Sequence, residues 1–211
     1  MKQPVLSRSL RLTLAMLLGL AVALTAASFS AFAQECRGIR ESVLRLHILA
    51  NSDSQEDQAL KLAVRDRILE LDSVLFQEAS NLREAEEAAA RELERIRSAA
   101  QEELRRQGCG YPVRAELTNM YFTTRTYDTL TLPAGRYDAV RITIGEGAGR
   151  NWWCVLYPPL CLPACGGQAL SEVLTESQIE ILESAEEYEF RFAALELYQA
   201  LKERLENAAE E

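Results

Sequence analysis

Histidine is almost missing from this chain of 211 residues, in which His47 is the only one. One position therefore offers a side chain that titrates near neutral pH. A catalytic unit built on His47 would use Ser52 or Ser54 with an acid such as Asp53, but the chain has no Gly-x-Ser-x-Gly motif to expose a serine. Helix capping explains these serines and acids better, so the sequence predicts a protein that is not an enzyme. The alternative is an extracytoplasmic hydrolase or cell-wall-modifying enzyme that uses His47.

Cysteine pairs of the Cys-x-x-Cys type, typical of structural zinc sites, are also missing. The spacing from Cys161 to Cys165 leaves zinc open as an alternative, although no histidine lies nearby to complete a site. Asp53 and Asp57 lack the spacing and the glycine of an EF-hand calcium loop. The sequence therefore predicts neither a metal ion nor a cofactor.

The chain has fewer positive than negative charges. It contains 23 lysines and arginines against 32 aspartates and glutamates, which gives a formal net charge of −9. An acidic protein has no electrostatic attraction for nucleic acid or for anionic lipid. The sequence predicts a protein surface as the partner, with no nucleic acid and no small-molecule cofactor.

The amino terminus has the composition of a signal peptide. Lys2, Arg8 and Arg11 form a basic region, residues 12–27 are apolar, and residues 31–33 form an Ala-x-Ala cleavage motif. We expect residues 1–33 to be a cleavable signal peptide, so that the membrane is contacted only transiently, and residues 34–211 to form a single domain with an acidic tail. Cleavage would bring the formal charge to −12. The alternative is a retained membrane anchor, for which about 16 apolar residues are few.

Five cysteines follow the cleavage motif, at Cys36, Cys109, Cys154, Cys161 and Cys165. Export places them in an oxidising compartment, where disulfides are usual. Cys154 and Cys161 flank a segment bent by two prolines, and a bridge between them would stabilise the fold by roughly 2–3 kcal/mol in the chain-entropy model. The odd number of cysteines leaves at least one thiol or an intermolecular bond.

A short apolar strand at residues 44–49, a polar turn and a helix form the most distinctive segment. Ser54 is a suitable helix cap, and Asp57 three residues later indicates a variant of the capping box. The helix carries an apolar stripe at Leu60, Val64, Ile68, Leu71 and Leu75. A second helix is predicted over 82–107, capped by Asn81 and ended by Gly108.

The second half of the chain changes to strand patterns. Strands are predicted from 113 to 117, from 136 to 144 and from 152 to 157, and the last two are expected to pair as an antiparallel hairpin around a flexible loop at 145–149. This glycine-rich loop is followed by strand rather than helix, which disfavours a phosphate loop. A final helix is predicted over 177–207, with an apolar stripe at Phe190, Ala194, Leu197, Leu201 and Leu205. The fold class is α+β: a small, mostly antiparallel sheet packed against three or more helices.

Adjacent tryptophans occur on the last predicted strand. Neighbouring strand residues point to opposite faces, so Trp152 shares a face with Cys154 while Trp153 shares the other with Val155. Exposed tryptophan is typical of binding hot spots, whereas two buried tryptophans would indicate a sheet covered on both sides. Both interpretations stay open.

Two long blocks, HILANSDSQEDQALKLAVRD from His47 and LPAGRYDAVRITIGEGAGRNWWCVLYPPLC from Leu132, resemble the stage II sporulation protein R family of endospore-forming bacteria. The resemblance follows the family's order of elements from about residue 40 to residue 205. It implies a protein exported from the forespore into the space between the forespore and mother-cell membranes. There it would activate the membrane-embedded aspartic protease that processes the pro-form of the sigma E factor. The resemblance supplies no catalytic residues.

From these patterns we predict a partner-binding site on two segments. The first surrounds the strand-to-helix turn and the second lies on the aromatic strand, and the candidate residues are His47, Asn51, Asp53, Asp57, Lys61, Asn151, Trp152 and Trp153.

Overall fold

A computed structural model describes residues 7–76, 78–127, 130–158 and 170–210. In chain order the elements are α1 (Arg8–Arg40), β1 (Leu44–Leu49), α2 (Gln55–Leu75), α3 (Leu82–Arg106), β2 (Val113–Phe122), β3 (Arg125–Tyr127), β4 (Leu130–Leu132), β5 (Gly135–Ile144), β6 (Asn151–Tyr157), α4 (Glu176–Glu183) and α5 (Ala185–Glu210). The α+β class is confirmed. Two parts of the sequence prediction, the 159–169 segment with Cys161 and Cys165 and the last residue of the acidic tail, lie outside the described residues.

The main sheet has four strands in the order β2-β5-β1-β6. Strand β1 runs parallel to β5 and antiparallel to β6, and β2 runs antiparallel to β5. Two of the three pairings are therefore antiparallel, as predicted. The predicted hairpin between β5 and β6 is wrong, because β1 lies between them. Strand β1 is almost wholly buried, and a central position is what buries such an apolar strand on both faces.

Helices α2 and α3 cover one face of the sheet. Leu46 and Ile48 of β1 pack there against Val64 and Ile68 of α2 and Ile96 of α3. The predicted caps of α3 are confirmed. Asn81 accepts a hydrogen bond of 3.0 Å from the backbone N–H of Glu84, and Gly108 follows the helix at φ +76°, where a glycine is favoured because it has no Cβ.

The opposite face is covered near the beginning of β1 by the end of α1, by α4 and α5, and by the β3–β4 hairpin. Phe32 and Ile39 of α1 belong to this second core, together with Leu182 of α4 and Leu195 of α5. Arg45 is fully buried beneath it. Its guanidinium carbon lies 4.3 Å from the centroid of the Phe122 ring, and its Nε donates to the carbonyl oxygen of Cys154 at 3.0 Å.

The carboxyl-terminal helical segment differs from its prediction. It is interrupted at Ser184, which caps the end of α4 before α5 begins. Helix α5 buries Phe192 and Leu195, whereas Phe190 and Leu197 of the predicted stripe are 90% and 73% exposed. The stripe with helical spacing is therefore not the face that packs, because the contact with α1 selects Phe192 and Leu195 instead.

One helix within the described ranges, α1, is long and apolar enough to cross a membrane by length and composition. Its apolar first half fits a signal peptide and makes no contact that buries it, since residues 7–28 are exposed. The helix continues without interruption past the Ala-x-Ala motif to Arg40.

Candidate partner-binding site

The turn between β1 and α2 is organised by the carboxylate of Asp57. This carboxylate is only 6% exposed, and its Oδ2 accepts hydrogen bonds from Ser52 Oγ at 2.6 Å and from Asn51 Nδ2 at 2.8 Å. These hydrogen bonds, the one from Ser52 first, lower the pKa of Asp57 because they favour the charged form. Asp57 is thus ionised at neutral pH and fixes the turn.

Helix α2 starts as predicted but without a capping box. Ser54 Oγ accepts from the backbone N–H of Asp57 at 3.1 Å, which is the expected cap of a helix that begins at Gln55. The Asp57 side chain does not return to the N–H of Ser54, which donates instead to Ser52 Oγ at 3.2 Å. The capping-box prediction is therefore wrong, because Asn51 and Ser52 compete for the carboxylate.

The glycine-rich loop between β5 and β6 is fastened to this turn. Asn51 Oδ1 accepts from the N–H of Glu146 at 3.0 Å, and Asp53 Oδ1 accepts from the N–H of Arg150 at 2.7 Å. Lys61, which is 4% exposed, donates to the carbonyl oxygen of Arg150 at 3.0 Å. The loop is a pinned connection that passes over the end of β1, and not the flexible hairpin expected from its glycines.

His47 lies directly beside the aromatic strand. It is 3% exposed and pairs in register with Trp153 of β6 and Arg141 of β5. Burial lowers its pKa and outweighs an opposing effect of the Asn151 side chain, while Arg141 lowers it further. Neither ring nitrogen has hydrogen-bond geometry to a partner in the described part of the chain. His47 is a neutral, buried ring at pH 7.

In the described part of the chain, the nucleophile and base that the hydrolase alternative needs do not come together. Ser52 Oγ is engaged by Asp57, and Ser54 Oγ caps α2. His47 is surrounded by the rings of Trp153 and Phe122. Within residues 7–76, 78–127, 130–158 and 170–210, no contact joins His47 to a serine, and no group of three His, Cys, Asp or Glu side chains has the arrangement of a metal site.

The two tryptophans lie on opposite faces of β6. Trp152 packs partly buried against the core beneath α2, with the guanidinium carbon of Arg65 4.4 Å from its ring centroid. Trp153 lies on the other face, with Phe122 edge-on at 4.7 Å and the guanidinium carbon of Arg125 at 5.7 Å. Both are half-buried, so neither of the two sequence interpretations describes them fully.

Among the residues that the structure describes, no helix or strand covers the second face of the sheet near the end of β1. We call this surface the open face; it consists of Arg114, Glu116, Arg141, Asn151 and Trp153, with His47 beneath. Glu116 and Arg141 are paired across β2 and β5 at 3.4 Å, and their side chains are 56% and 39% exposed. So exposed a pair contributes little to stability.

The structure therefore brings the two predicted segments together, but with different roles. Asn151 and Trp153 reach the open face, Asn51 and Asp53 hold the loop that leads to it, and His47, Asp57 and Lys61 are buried supports. Sequence reasoning missed Arg141 and Glu116. The period-two alternation of β5 places Arg141 on one face of the strand. Only the pairing of β5 with β1, and of β1 with β6, shows that Trp153 lies on the same face of the sheet.

The cysteines divide into two groups. Cys36 is buried and free, and Cys109 is half-buried and free. Cys154 is disulfide-bonded. Its predicted partner Cys161 lies outside the described residues, so the Cys154–Cys161 pairing stays a prediction.

Comparison with known proteins gives one consistent result. A family model described as stage II sporulation protein R matches residues 40–165. The curated stage II sporulation protein R of Bacillus subtilis (strain 168) is 37% identical over 135 residues, which cover 64% of this chain and 60% of that protein. No solved structure matches the chain. The matched region contains the whole four-stranded sheet and the open face, whereas nearly all of α1 and all of α4 and α5 lie outside the family match.

Proposed function

We propose a specific action for this chain, which belongs to the stage II sporulation protein R family. Membership of this family supports a role in sporulation. The protein is a signal that activates the membrane-embedded aspartic protease responsible for processing the pro-form of the sigma E factor. It acts by binding rather than by catalysis. The B. subtilis relative is matched over only 60% of its length, so this activity rests on the family and on the surface described above.

The proposed place of action is the space between the forespore and mother-cell membranes. The apolar α1 fits an export signal and supports delivery of the domain across the forespore membrane. There the domain can reach the outer face of a protease that lies in the other membrane.

The observation that carries the proposal is the open face itself. This face combines the half-buried Trp153 with Arg141, whose ion pair is exposed, and tryptophan and arginine are residues enriched in binding hot spots. The neighbouring Arg114 and Arg125 add positive charge to a chain whose net charge is −9. We propose that this surface takes acidic and apolar side chains from the protease.

Activation follows if the open face binds the active arrangement of the protease more tightly than the inactive one. A ligand shifts such an equilibrium only by its difference in affinity for the two states. Three buried side chains serve this purpose: Asp57 and Lys61 hold the turn and the loop, and His47 stacks on Trp153. Fixing these parts before binding reduces the entropy that binding would otherwise cost.

The test is reconstitution of processing. The chain, with or without residues 1–33, is co-expressed with the protease and a tagged pro-sigma substrate, and the processed substrate is measured. We expect processing only when the chain carries its export segment. Processing that is indifferent to a folded, exported chain would contradict the proposal.

A further inference from the structure

Strand β2 lies at one edge of the main sheet, with β5 on its inner side. The ladder between them begins at Pro112, whose carbonyl oxygen accepts a hydrogen bond of 2.9 Å from the N–H of Gly145. In an antiparallel ladder, alternate residues of a strand bond to the neighbouring strand. The even-numbered residues of β2 therefore face β5, and the backbone groups of its odd-numbered residues point out of the sheet.

Side chains of the protein itself satisfy both ends of this outer edge. Gln101 of α3 donates to the carbonyl oxygen of Tyr111 at 2.8 Å and accepts from the N–H of Val113 at 3.0 Å. At the other end, Arg136 donates to the carbonyl oxygen of Asn119 at 2.9 Å. These bonds go to odd-numbered residues, as the ladder requires for groups that point outwards.

Between these two ends the edge is open. The groups that make no hydrogen bond within the described part of the chain are the carbonyl oxygen of Val113, the N–H of Asn119, and both backbone groups of Ala115 and Leu117. We call residues 113–119 the open edge. Ala115 and Leu117 pack against the core beneath α3 and are nevertheless only half-buried.

The open edge lacks the usual protection of an edge strand. Natural edge strands are commonly short, bulged or interrupted by proline, because unpaired backbone groups are a template for another strand. Strand β2 has ten residues, contains no proline and pairs with β5 without a register shift. Its geometry is therefore suited to receive a further strand.

We propose that the open edge binds an extended segment of a partner protein as an additional antiparallel strand, with a basic residue opposite Glu116 and an acidic residue opposite Arg114. In this mode of recognition, main-chain hydrogen bonds supply affinity and alternate side chains supply specificity. The inference rests on the proposed function only for the identity of the partner, which is then the protease. The added strand would extend the open face on the side of β2.

Two charged side chains define which strand fits. Arg114 and Glu116 are two residues apart and lie on the open face, so each meets the residue directly opposite on an added strand at about 5 Å between Cβ atoms. Arg114 is exposed, and the Glu116 side chain is 56% exposed with one ion pair, to Arg141 at 3.4 Å. Opposite charges across a strand pair stabilise it and like charges destabilise it.

A second copy of this chain fits the open edge poorly. Two copies would pair all of their open groups only with Ala115 opposite Leu117 and Val113 opposite Asn119. That register places the two copies of Glu116 directly opposite each other, and this repulsion opposes dimerisation. The charge pattern thus disfavours self-association and favours a strand with the complementary pattern.

The probe is a synthetic peptide with that pattern, acetyl-Ser-Thr-Val-Lys-Val-Glu-Thr-amide. When it pairs antiparallel with residues 113–119, its lysine lies opposite Glu116 and its glutamate opposite Arg114. The protein is the exported chain, produced from the full sequence, labelled with nitrogen-15 and titrated in NMR spectra. We expect the largest amide shifts at Ala115 and Leu117. A control peptide with the lysine and glutamate exchanged should bind about tenfold more weakly.

Backbone pairing is tested by methylating the peptide. Its second valine lies opposite Ala115, so the N–H of this valine points to the open edge, whereas the N–H of the lysine points away. A methyl group on the valine nitrogen should weaken binding about tenfold or more, because it removes a main-chain hydrogen bond. A methyl group on the lysine nitrogen should have a much smaller effect. Equal affinities of the two methylated peptides would overturn the proposal.

Exchanging the charges on the protein tests the specificity. Arg114→Glu combined with Glu116→Lys should reverse the preference, so that the exchanged peptide binds more tightly than the first one. Circular dichroism checks that the double variant is folded, and the methylated peptides decide the question on the wild-type chain if it is not. A folded double variant with the preference of the wild type would overturn the assigned charge pairs.

The processing assay separates this inference from the proposed function. Leu117→Pro removes an outward N–H that β5 does not use, a position where an edge strand tolerates proline, and it should abolish both peptide binding and processing. Processing by a folded Leu117→Pro would remove the open edge and leave the proposed function standing. Peptide binding by a wild-type chain that supports no processing would do the reverse. A wild-type dimer that the peptide dissociates would identify a second copy as the occupant and overturn the proposal.

Discussion

The imidazole ring of His47 lies almost parallel to the indole ring of Trp153, with 4.2 Å between the ring centroids and 14° between the planes. The two residues are register partners on adjacent strands. The buried histidine ring thus packs directly beneath Trp153 of the open face. Substitution of His47 would therefore remove a stacking contact of Trp153.

The first prediction concerns pH. Burial lowers the pKa of His47 below its usual 6.5 in the folded protein, so the unfolded chain binds this proton more readily. Stability contributed by the neutral ring is present above pH 6.5 and is lost as the pH falls through that value towards the folded pKa. The difference in free energy of unfolding between wild type and His47→Gln should therefore shrink from pH 7.5 to pH 5.5 in urea titrations. A constant difference would contradict a lowered pKa.

A second prediction has the opposite sign in the same pH range. Burial, followed by a hydrogen bond that the protonated Glu86 donates to Asp138 and by repulsion between the two carboxylates, raises the pKa of Glu86 from 4.5 to about 7. The protonated form is favoured in the folded state, so this stabilisation is present below pH 4.5 and is lost as the pH rises through 7. Glu86→Gln should be more stable than wild type at pH 8 and lose that advantage at pH 5. Glu87→Gln, a neighbouring exposed position, should show no such trend.

The third prediction tests the Asp57 network. Asp57→Asn keeps the shape of the side chain but removes the charge that accepts from Asn51 and Ser52. We expect the free energy of unfolding to fall by roughly 1–3 kcal/mol, as for other buried hydrogen bonds to charged groups. Glu56→Gln, an exposed carboxylate in the same first turn, should change it by less than about 0.5 kcal/mol. Similar effects in both variants would argue against the network.

The fourth prediction concerns the pinned loop. A Cβ atom on Gly149 would overlap the backbone carbonyl of Ser52, whereas one on Gly110 would meet nothing within 4 Å. Gly149→Ala should therefore destabilise the protein by roughly 1–3 kcal/mol, because backbone cannot move aside cheaply. Gly110→Ala should leave the melting temperature almost unchanged. A neutral Gly149→Ala would mean that the loop is not seated on the turn.

The fifth prediction separates binding from folding. Arg141→Glu reverses a charge on the open face, and Arg67→Glu reverses one on α2; both arginine side chains are 39% exposed and each has one ion pair. Both variants should remain folded by circular dichroism. Of the two charge reversals, Arg141→Glu alone should lose activation of the protease in the processing assay. Trp153→Ala, on the same open face, should lose it as well. If Arg141→Glu and Arg67→Glu activated the protease equally well, the open face would not be the surface that binds it.

Local patterns in the sequence predicted much of the fold. The caps at Ser54, Asn81 and Gly108 depend on neighbours within a few residues, and all three are found. The opposite faces of Trp152 and Trp153 follow from the geometry of any strand. These features were predictable because the interactions that determine them are close in sequence.

Other features depend on residues that are distant in sequence. Arg45 reads as a charged residue in an apolar strand, yet it is fully buried, because aromatic rings from β2, β3 and β5 surround it. The stripe on the last helix predicted the wrong face, because Phe32 of α1 selects Phe192 as its partner. Hydrophobic periodicity shows that a face is apolar, but not which surface will cover it.

The sequence by itself determined the family, the apolar amino-terminal helix, the α+β class and the location of the turn and the tryptophans, since each is encoded in a contiguous segment. Only the tertiary structure decided that β1 lies between β5 and β6, that the turn pins the glycine loop, and that Phe32 of α1 packs on Phe192 of α5. These are contacts between segments about 90 to 160 residues apart. These contacts form because the whole fold buries apolar surface and satisfies polar groups. No local sequence pattern contains that information.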